Sequence, residues 1–414
     1  MFKRYFAPGV LFLCILGLFS WLMWSPYWAT LREVGAVMRL IHREYYDADA
    51  VRYNHLRDKM LQGTVENLDP YSRYFSEEDF TAFRERSDQR YVGVGVEIQK
   101  LEDRVAIMTV FPGSSAEQGG VLPGDRILRV GDTDVREFSV EAVVDEIRGE
   151  EGQPVELGLY RPLEDRELDV NLVRSPVSIP SLVDVDLTEQ GIGYLRLTQF
   201  GGRTAMEFVE TLDRLEESGM KALIIDLRDN PGGNLTAANE VTEQFLDEGE
   251  LIVYTAGRDD EDRVEYRSHS PDRVGHYPVA ILINHYSASG SEIVSGVLQD
   301  VGRATIVGEK SYGKGSVQTV YSLRTGGAFT QTTALYYFPS GKSIHQKGVE
   351  PDIVVDMPAE TYRELQVQKR HADRMSREEF ERIFGFAPDR EDSVRQKAEE
   401  YLLSEVEATA PAAA

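Results

Sequence analysis

The chain has 414 residues, 42% of them hydrophobic, which is enough for two or three domains with cores of their own and excludes disorder throughout. Against 45 Lys and Arg stand 70 Asp and Glu, a formal net charge of -25 that repels nucleic acid and disfavours tight binding to anionic lipid surfaces. The single cysteine, Cys14, lies in an N-terminal apolar run, so the remainder has no disulfide, thiolate nucleophile or cysteine metal site.

Lys3 and Arg4 precede an uncharged stretch from Phe6 to Trp24 that is long enough to span a bilayer. Trp21, Trp24, Tyr27 and Trp28 suit the far interface, and the early positive charges stay cytoplasmic. The expectation is an N-terminal transmembrane helix within residues 1–28, in a bacterial inner membrane, with the bulk of the chain in the periplasm. Ser25 to Thr30 lacks a small-x-small cleavage site, which favours an uncleaved anchor over a removed signal peptide and a periplasmic or secreted product.

Residues 29–90 are charged and helix-patterned, with Val34, Val37, Met38 and Ile41 at spacings of three and four, then a turn at Leu68-Asp69-Pro70-Tyr71-Ser72. From Tyr91 the period becomes strand-like, through Tyr91–Ile98, Val105–Val110 and Ile127–Val130. An amphipathic helix follows from Ser139 to Ile147, and two more strands lie around Val155–Leu159 and Leu168–Leu172. Tyr91-Val92-Gly93-Val94-Gly95-Val96, Pro123-Gly124-Asp125-Arg126-Ile127 and Val130-Gly131-Asp132 resemble the peptide-binding loop and turns of a PDZ domain, here residues 91–174. Gly93 and Gly95 would let backbone N–H groups converge on a carboxylate while an extended peptide pairs beside the sheet, its pocket lined by Val94, Val96, Val140 and Val144. Glycines that only relieve crowding in a strand are the plainer reading of Gly93 and Gly95 taken alone.

After Pro176 strands and helices alternate: strand Ile192–Leu197, helix Thr204–Glu217, strand Ala222–Leu227, helix Ala237–Leu246, strand Val279–Ile283 and helix Glu292–Gln299. Alternation implies parallel pairing, and continuous apolar runs imply a sheet covered on both faces. Residues 175–358 form this catalytic candidate, ending in strands near Thr330–Phe338 and Pro351–Val355. The charged stretch 359–414 is predicted helical, and its part Thr361–Glu407, with Leu31–Arg90, is the candidate surface for a homodimer or higher oligomer.

Two loops follow parallel strands, Arg228-Asp229-Asn230-Pro231-Gly232-Gly233-Asn234 and His285-Tyr286-Ser287-Ala288-Ser289-Gly290-Ser291, and strand ends are where sites gather in open α/β sheets. Gly232 and Gly233 can turn N–H groups towards a carbonyl oxygen, although an ordinary strand-to-helix turn has the same composition. Ser289-Gly290-Ser291-Glu292 also fits a capping box; a cap and a nucleophile can share one geometry at the positive end of a helix, and Ser287 and Ser291 are rivals. For the base, His285 lacks an evident orienting carboxylate. Lys314, between Gly313 and Gly315, could be desolvated and neutral, with Gln318 holding its amine.

The run Ser287 to Asp300 with Gly308 and Ser311-Tyr312-Gly313-Lys314-Gly315-Ser316-Val317-Gln318 closely resembles the C-terminal processing proteases, also called tail-specific proteases. The resemblance takes in Leu68–Ser72, the PDZ module, Asp226–Gly233, Gly341–Ile344 and Gly348–Asp352. It implies an α/β fold with an inserted β-rich PDZ domain: a parallel or mixed α/β-sheet protease core and a Ser-Lys peptidase of the S41 type. Ser289 would attack, Lys314 would carry the proton, Gln318 would orient Lys314, and the N–H groups of Gly290 and of Gly232 or Gly233 would form the oxyanion hole. The separation of 25 residues between Ser289 and Lys314 is the family's. Glu292 and Asp300 match acidic positions of the motif and are read as supporting the helix. Gly290 stands where the family usually has alanine, and Tyr71 where it commonly has histidine.

The resemblance further implies substrates with free apolar C-termini, an adaptor protein as a possible partner, and Arg148 as a sensor of the peptide-bound PDZ module. The seven histidines show no metal-ligand spacing, so neither metal nor cofactor is expected. A catalytically silent, membrane-tethered peptide-binding scaffold and an acyl hydrolase of small esters are the competing readings.

Overall fold

The computed structural model describes residues 25–87, 90–101, 104–111, 113–178, 180–259, 263–269, 277–372 and 376–409. The expected membrane segment up to Trp24 lies outside them, and among the described residues no helix is long and apolar enough to cross a membrane. The chain divides into two compact units, one made of the residues up to Phe80 with Gln318–Thr332, the other of Thr81–Val317 with Thr333 onward.

In the smaller unit the helical pattern of residues 29–90 becomes the helices Pro26–Glu44 and Tyr53–Glu66, with proline in the first turn of the first, where its missing N–H costs nothing. Asp69 then accepts the N–H groups of Tyr71 (2.8 Å) and Ser72 (2.9 Å), an Asx turn that starts the strand Arg73–Phe75. That strand pairs antiparallel with Ala328–Thr330.

In the larger unit the single strand expected over Tyr91–Ile98 is two. Gly95 has φ +86°, and a Cβ there would sit 2.1 Å from Ser114 Cβ, so the chain bends at Val94-Gly95. Arg90–Gly93 consequently pairs with Ser175–Ser178, whereas Val96–Leu101 pairs with Arg104–Val110 and enters the antiparallel PDZ-like sheet with Arg126–Val130, Pro154–Arg161 and Arg166–Val173. Ser139 caps the helix Val140–Ile147 by accepting the Ala142 N–H, and Val143 and Ile147 on its inner face join the core with Ile127, Leu157 and Leu159.

The rest of this unit is built on a six-stranded sheet in the order 182–187, 192–197, 222–226, 279–283, 305–308, 353–354. Its last five strands are parallel and the first is antiparallel. Helices Thr204–Glu217, Leu235–Thr242 and Gly290–Asp300 cover one face through Phe208, Leu212, Ala238, Val294 and Val297. The other face belongs to the charged tail: Val394, Ala398 and Leu402 of helix Ser393–Thr409 pack on Tyr194, Ile224, Ala280 and Leu282. The tail therefore closes the core, because Val394, Ala398 and Leu402 recur every four residues along one side of its last helix.

Candidate active site

Strands Ala222–Asp226 and Val279–Ile283 are neighbours and parallel, so the loops after them leave the same edge of the sheet. Hydrogen bonds knit these loops together. The Ala288 N–H donates to Asn230 O (3.0 Å), Ser291 Oγ donates to the same carbonyl (2.8 Å), and Ser287 Oγ donates to Leu227 O (2.8 Å). Ser287 and Ser291 are both fully buried and hold backbone in place. Ser289 is half-buried, at φ +55° and ψ -111°, a backbone conformation that a residue with a Cβ rarely adopts and that costs about 1–3 kcal/mol. Helix Gly290–Asp300 starts immediately after it, so the positive end of the helix lies beside Ser289.

Gly232 sits directly on this turn: a Cβ there would lie 2.6 Å from Ala288 O, 2.7 Å from Gly290 N and 2.7 Å from Ser289 Cβ. A Cβ on Gly233 would lie 2.0 Å from Phe200 O, and both glycines have positive φ. Only glycine lets this loop approach the serine so closely. The Gly232 N–H is itself donated to Asn230 Oδ1 (2.9 Å), so of the two loop glycines it is Gly233 whose N–H is not committed to that side chain.

Lys314 is half-buried on the segment before strand Ser316–Ser322. Its flanking glycines admit a neighbouring loop: a Cβ on Gly315 would lie 2.6 Å from His345 N, and Gly313 O accepts the Gln346 N–H at 2.8 Å. Burial pushes the Lys314 amine below its ordinary value of 10.5, while the Glu292 carboxylate pulls the other way.

Glu292 organises the whole arrangement. It is fully buried and accepts four hydrogen bonds, from Ser289 N and Lys314 N on Oε2 (2.8 Å each), and from Gly313 N (2.7 Å) and Ser311 Oγ (2.5 Å) on Oε1. Burial raises its carboxyl above the ordinary value, and these donors offset only part of that rise. Tyr336, also buried, brings its hydroxyl to Ser289 O (3.2 Å) and to Lys314 O. Sequence reading assigned Glu292 to the helix, which its bond to the Ser289 N–H supports; its bonds to residues about twenty positions away, and the part played by Tyr336, had no local signal.

The remaining sequence candidates fall in different places. His285 is exposed and faces Glu309 (3.1 Å). Gln318 belongs to the smaller unit, where its amide donates to Thr332 Oγ1 (3.3 Å). Asp300 holds the turn at Ser340, accepting its N–H (2.9 Å) and its hydroxyl (2.6 Å). In the PDZ-like module Val96, Val140 and Val144 are half-buried along strand and helix, and Arg148 is exposed at the helix end. Val94 is a correction: its side chain is 1% exposed and packs in the core, because the bend at Gly95 turns it inward instead of towards a groove. Gly93 likewise pairs with Ser175 in a strand, which leaves Val94-Gly95 as the short loop. Among the described residues no cluster of acidic, histidine or cysteine side chains could hold a metal ion.

The profile of peptidase family S41 matches residues 191–355, and the PDZ domain profile matches residues 82–159. A carboxy-terminal-processing protease of Bartonella bacilliformis is 37% identical over 307 residues, covering 73% of this chain and 70% of that protein. A Staphylococcus aureus protein named "Probable CtpA-like serine protease" is 31% identical over 335 residues, 80% of this chain and 66% of that protein. A solved structure of a photosystem II D1 C-terminal processing protease aligns with 79% of this chain and 93% of its own, at 27% identity and a TM-score of 0.45.

The class defined by these matches is a serine peptidase that carries a PDZ domain. The chain belongs to peptidase family S41, among the carboxy-terminal-processing proteases.

Proposed function

We propose that the chain cleaves exported proteins near their free, apolar C-termini with a Ser289–Lys314 dyad. The observation that carries this reading is the shared carboxylate: Glu292 Oε2 accepts the N–H of both residues, which ties a serine at a helix start to a lysine whose pKa burial lowers. Neutral Lys314 takes the Ser289 Oγ proton as the oxygen attacks the substrate carbonyl carbon. The N–H groups of Gly290 and Gly233 receive the developing oxyanion. Lys314 then returns the proton to the leaving amine as the C–N bond breaks. Water, deprotonated by Lys314, then attacks the acyl-enzyme carbonyl; the bond to Ser289 Oγ breaks, Lys314 returns the proton to that oxygen, and the new C-terminal carboxylate is released.

In this reading the PDZ module captures the substrate's apolar end between the strand of Val96 and the helix of Val140 and Val144, and Arg148 senses the occupied module. The segment before Trp24 tethers the enzyme in a bacterial inner membrane with its catalytic part in the periplasm, and an adaptor or further copies of the chain are its partners.

The test is incubation with two versions of one unfolded protein, ending in apolar residues or in a pair of aspartates, followed by mass spectrometry. Trimming of the first with slower trimming of the second supports the reading. No trimming of either supports the silent scaffold, and equal trimming of both removes the role of the apolar end.

A further inference from the structure

The tail beyond the family match reaches the catalytic loops through a buried ionic network. Arg228, which opens the Gly232-Gly233 loop, is 2% exposed and forks between two carboxylates. Its Nε donates to Asp226 Oδ1 (2.9 Å), at the end of the central strand, and its Nη1 and Nη2 donate to Asp392 Oδ1 and Oδ2 (2.8 Å each), just before the last helix. Lys369 on the first tail helix, Ala359–His371, donates to Asp392 Oδ2 (3.0 Å). From the same helix, Tyr362 donates its hydroxyl to Asp229 Oδ2.

Asp229 passes this contact on. It is held at φ +60°, its N–H donates to Asn284 Oδ1 (3.0 Å), and its Oδ1 accepts from Asn284 Nδ2 (2.9 Å). Asn284 begins the serine loop, where its own N–H donates to Ser287 Oγ (3.0 Å) and its Oδ1 accepts the Tyr286 N–H (3.1 Å). A continuous chain of hydrogen bonds thus runs from the tail to both loops that frame Ser289.

Apolar residues of similar volume would stabilise such a junction as well as buried ions do, because desolvating Asp226, Arg228 and Asp392 offsets most of their attraction. What the ions add is direction. A guanidinium forked between two fixed carboxylates sets the orientation of the backbone that leaves the strand at Arg228.

We propose that Asp392 is a positioning residue of the peptidase, clamping Arg228 from the tail so that the Gly232-Gly233 loop meets the Ser289 turn in its productive geometry. The tail is in this view a working part of the active site. The inference rests on the dyad reading above.

The experiment measures kcat and KM of the full chain and of Asp392→Asn, Asp392→Glu and Ser289→Ala on a peptide with an apolar C-terminus, well below each variant's Tm. Asp392→Asn keeps the shape but loses the charge and one acceptor. It is expected to lower kcat by at least about tenfold at unchanged KM, as a displaced catalytic loop does, with Asp392→Glu recovering part of the loss. An unchanged kcat with only a lower Tm would overturn the proposal. Should Asp392→Asn fail to fold, Tyr362→Phe removes a single hydrogen bond to Asp229 and decides the question: a several-fold fall in kcat supports the proposal, and wild-type kcat overturns it. Activity in Ser289→Ala would instead overturn the dyad itself, so the two failures are distinguishable.

Discussion

Ser289 and Lys314 donate their backbone N–H groups to one carboxylate oxygen, Glu292 Oε2, each at 2.8 Å. Their carbonyls meet the single hydroxyl of Tyr336. Two residues 25 positions apart are thereby stapled at both ends of their peptide units. The unfavourable φ of Ser289 persists because these bonds over-determine it.

Glu292→Gln tests the staple. An amide presents a donor where four donors converge on a fully buried group, so at least two of them lose their acceptor. The expected cost is about 3 kcal/mol in urea unfolding, together with loss of cleavage. A stability within about 0.5 kcal/mol of wild type would contradict the assigned geometry.

Lys314 predicts a pH profile. Burial lowers its pKa, and only the neutral amine accepts a proton, so kcat/KM should rise with pH along a limb whose midpoint lies below the ordinary 10.5. The same shift acts on stability: the unfolded chain binds the extra proton between the two pKa values, so folding is favoured as pH rises through that window. Lys314→Met should be inactive and lose this component of the pH dependence. An active Lys314→Met enzyme, or a limb at or above 10.5, would argue against a neutral-lysine base.

Gly232→Ala should silence the enzyme. The added methyl falls 2.7 Å from both Gly290 N and Ser289 Cβ, and the residue is at φ +95°. Displacement of the turn by even a fraction of an ångström is expected to lower kcat by about 100-fold or more. Retained activity in a folded variant would separate this loop from the proposed nucleophile Ser289.

The tail should loosen in acid. Burial pushes Asp392 up, but the Arg228 guanidinium and the Lys369 ammonium outweigh it and hold the carboxyl well below 3.8; Asp226 is lowered too, chiefly by Arg228 acting against burial. A depressed folded value stabilises fully above 3.8, and that stabilisation fades as pH falls towards the folded value. Hydrogen exchange in helix Ser393–Thr409 should therefore rise below about pH 4 in wild type and less so in Asp392→Asn.

Much of the core and of the candidate site was legible because it is local: apolar strands such as Ala222–Asp226, a serine at a helix start, a lysine between glycines. What escaped depends on distant partners. Three serines looked alike until Leu227 O and Asn230 O proved to take the hydroxyls of Ser287 and Ser291. The tail read as a charged candidate oligomer surface because Asp392 and Arg228 are 164 positions apart in the chain. Strands Thr305–Gly308 and Ser316–Ser322 went unread, the first for its brevity and the second for its polar residues. Val94 was misplaced by a bend that Ser114, 19 residues later than Gly95, imposes.

The most direct measurement is mass spectrometry of an unfolded substrate with an apolar C-terminus after incubation with wild type, Ser289→Ala and Lys314→Ala, each shown to be folded by its near-UV circular dichroism. The dyad predicts trimmed products with wild type and none with either variant. Trimming at an appreciable rate by folded Ser289→Ala or Lys314→Ala would contradict it.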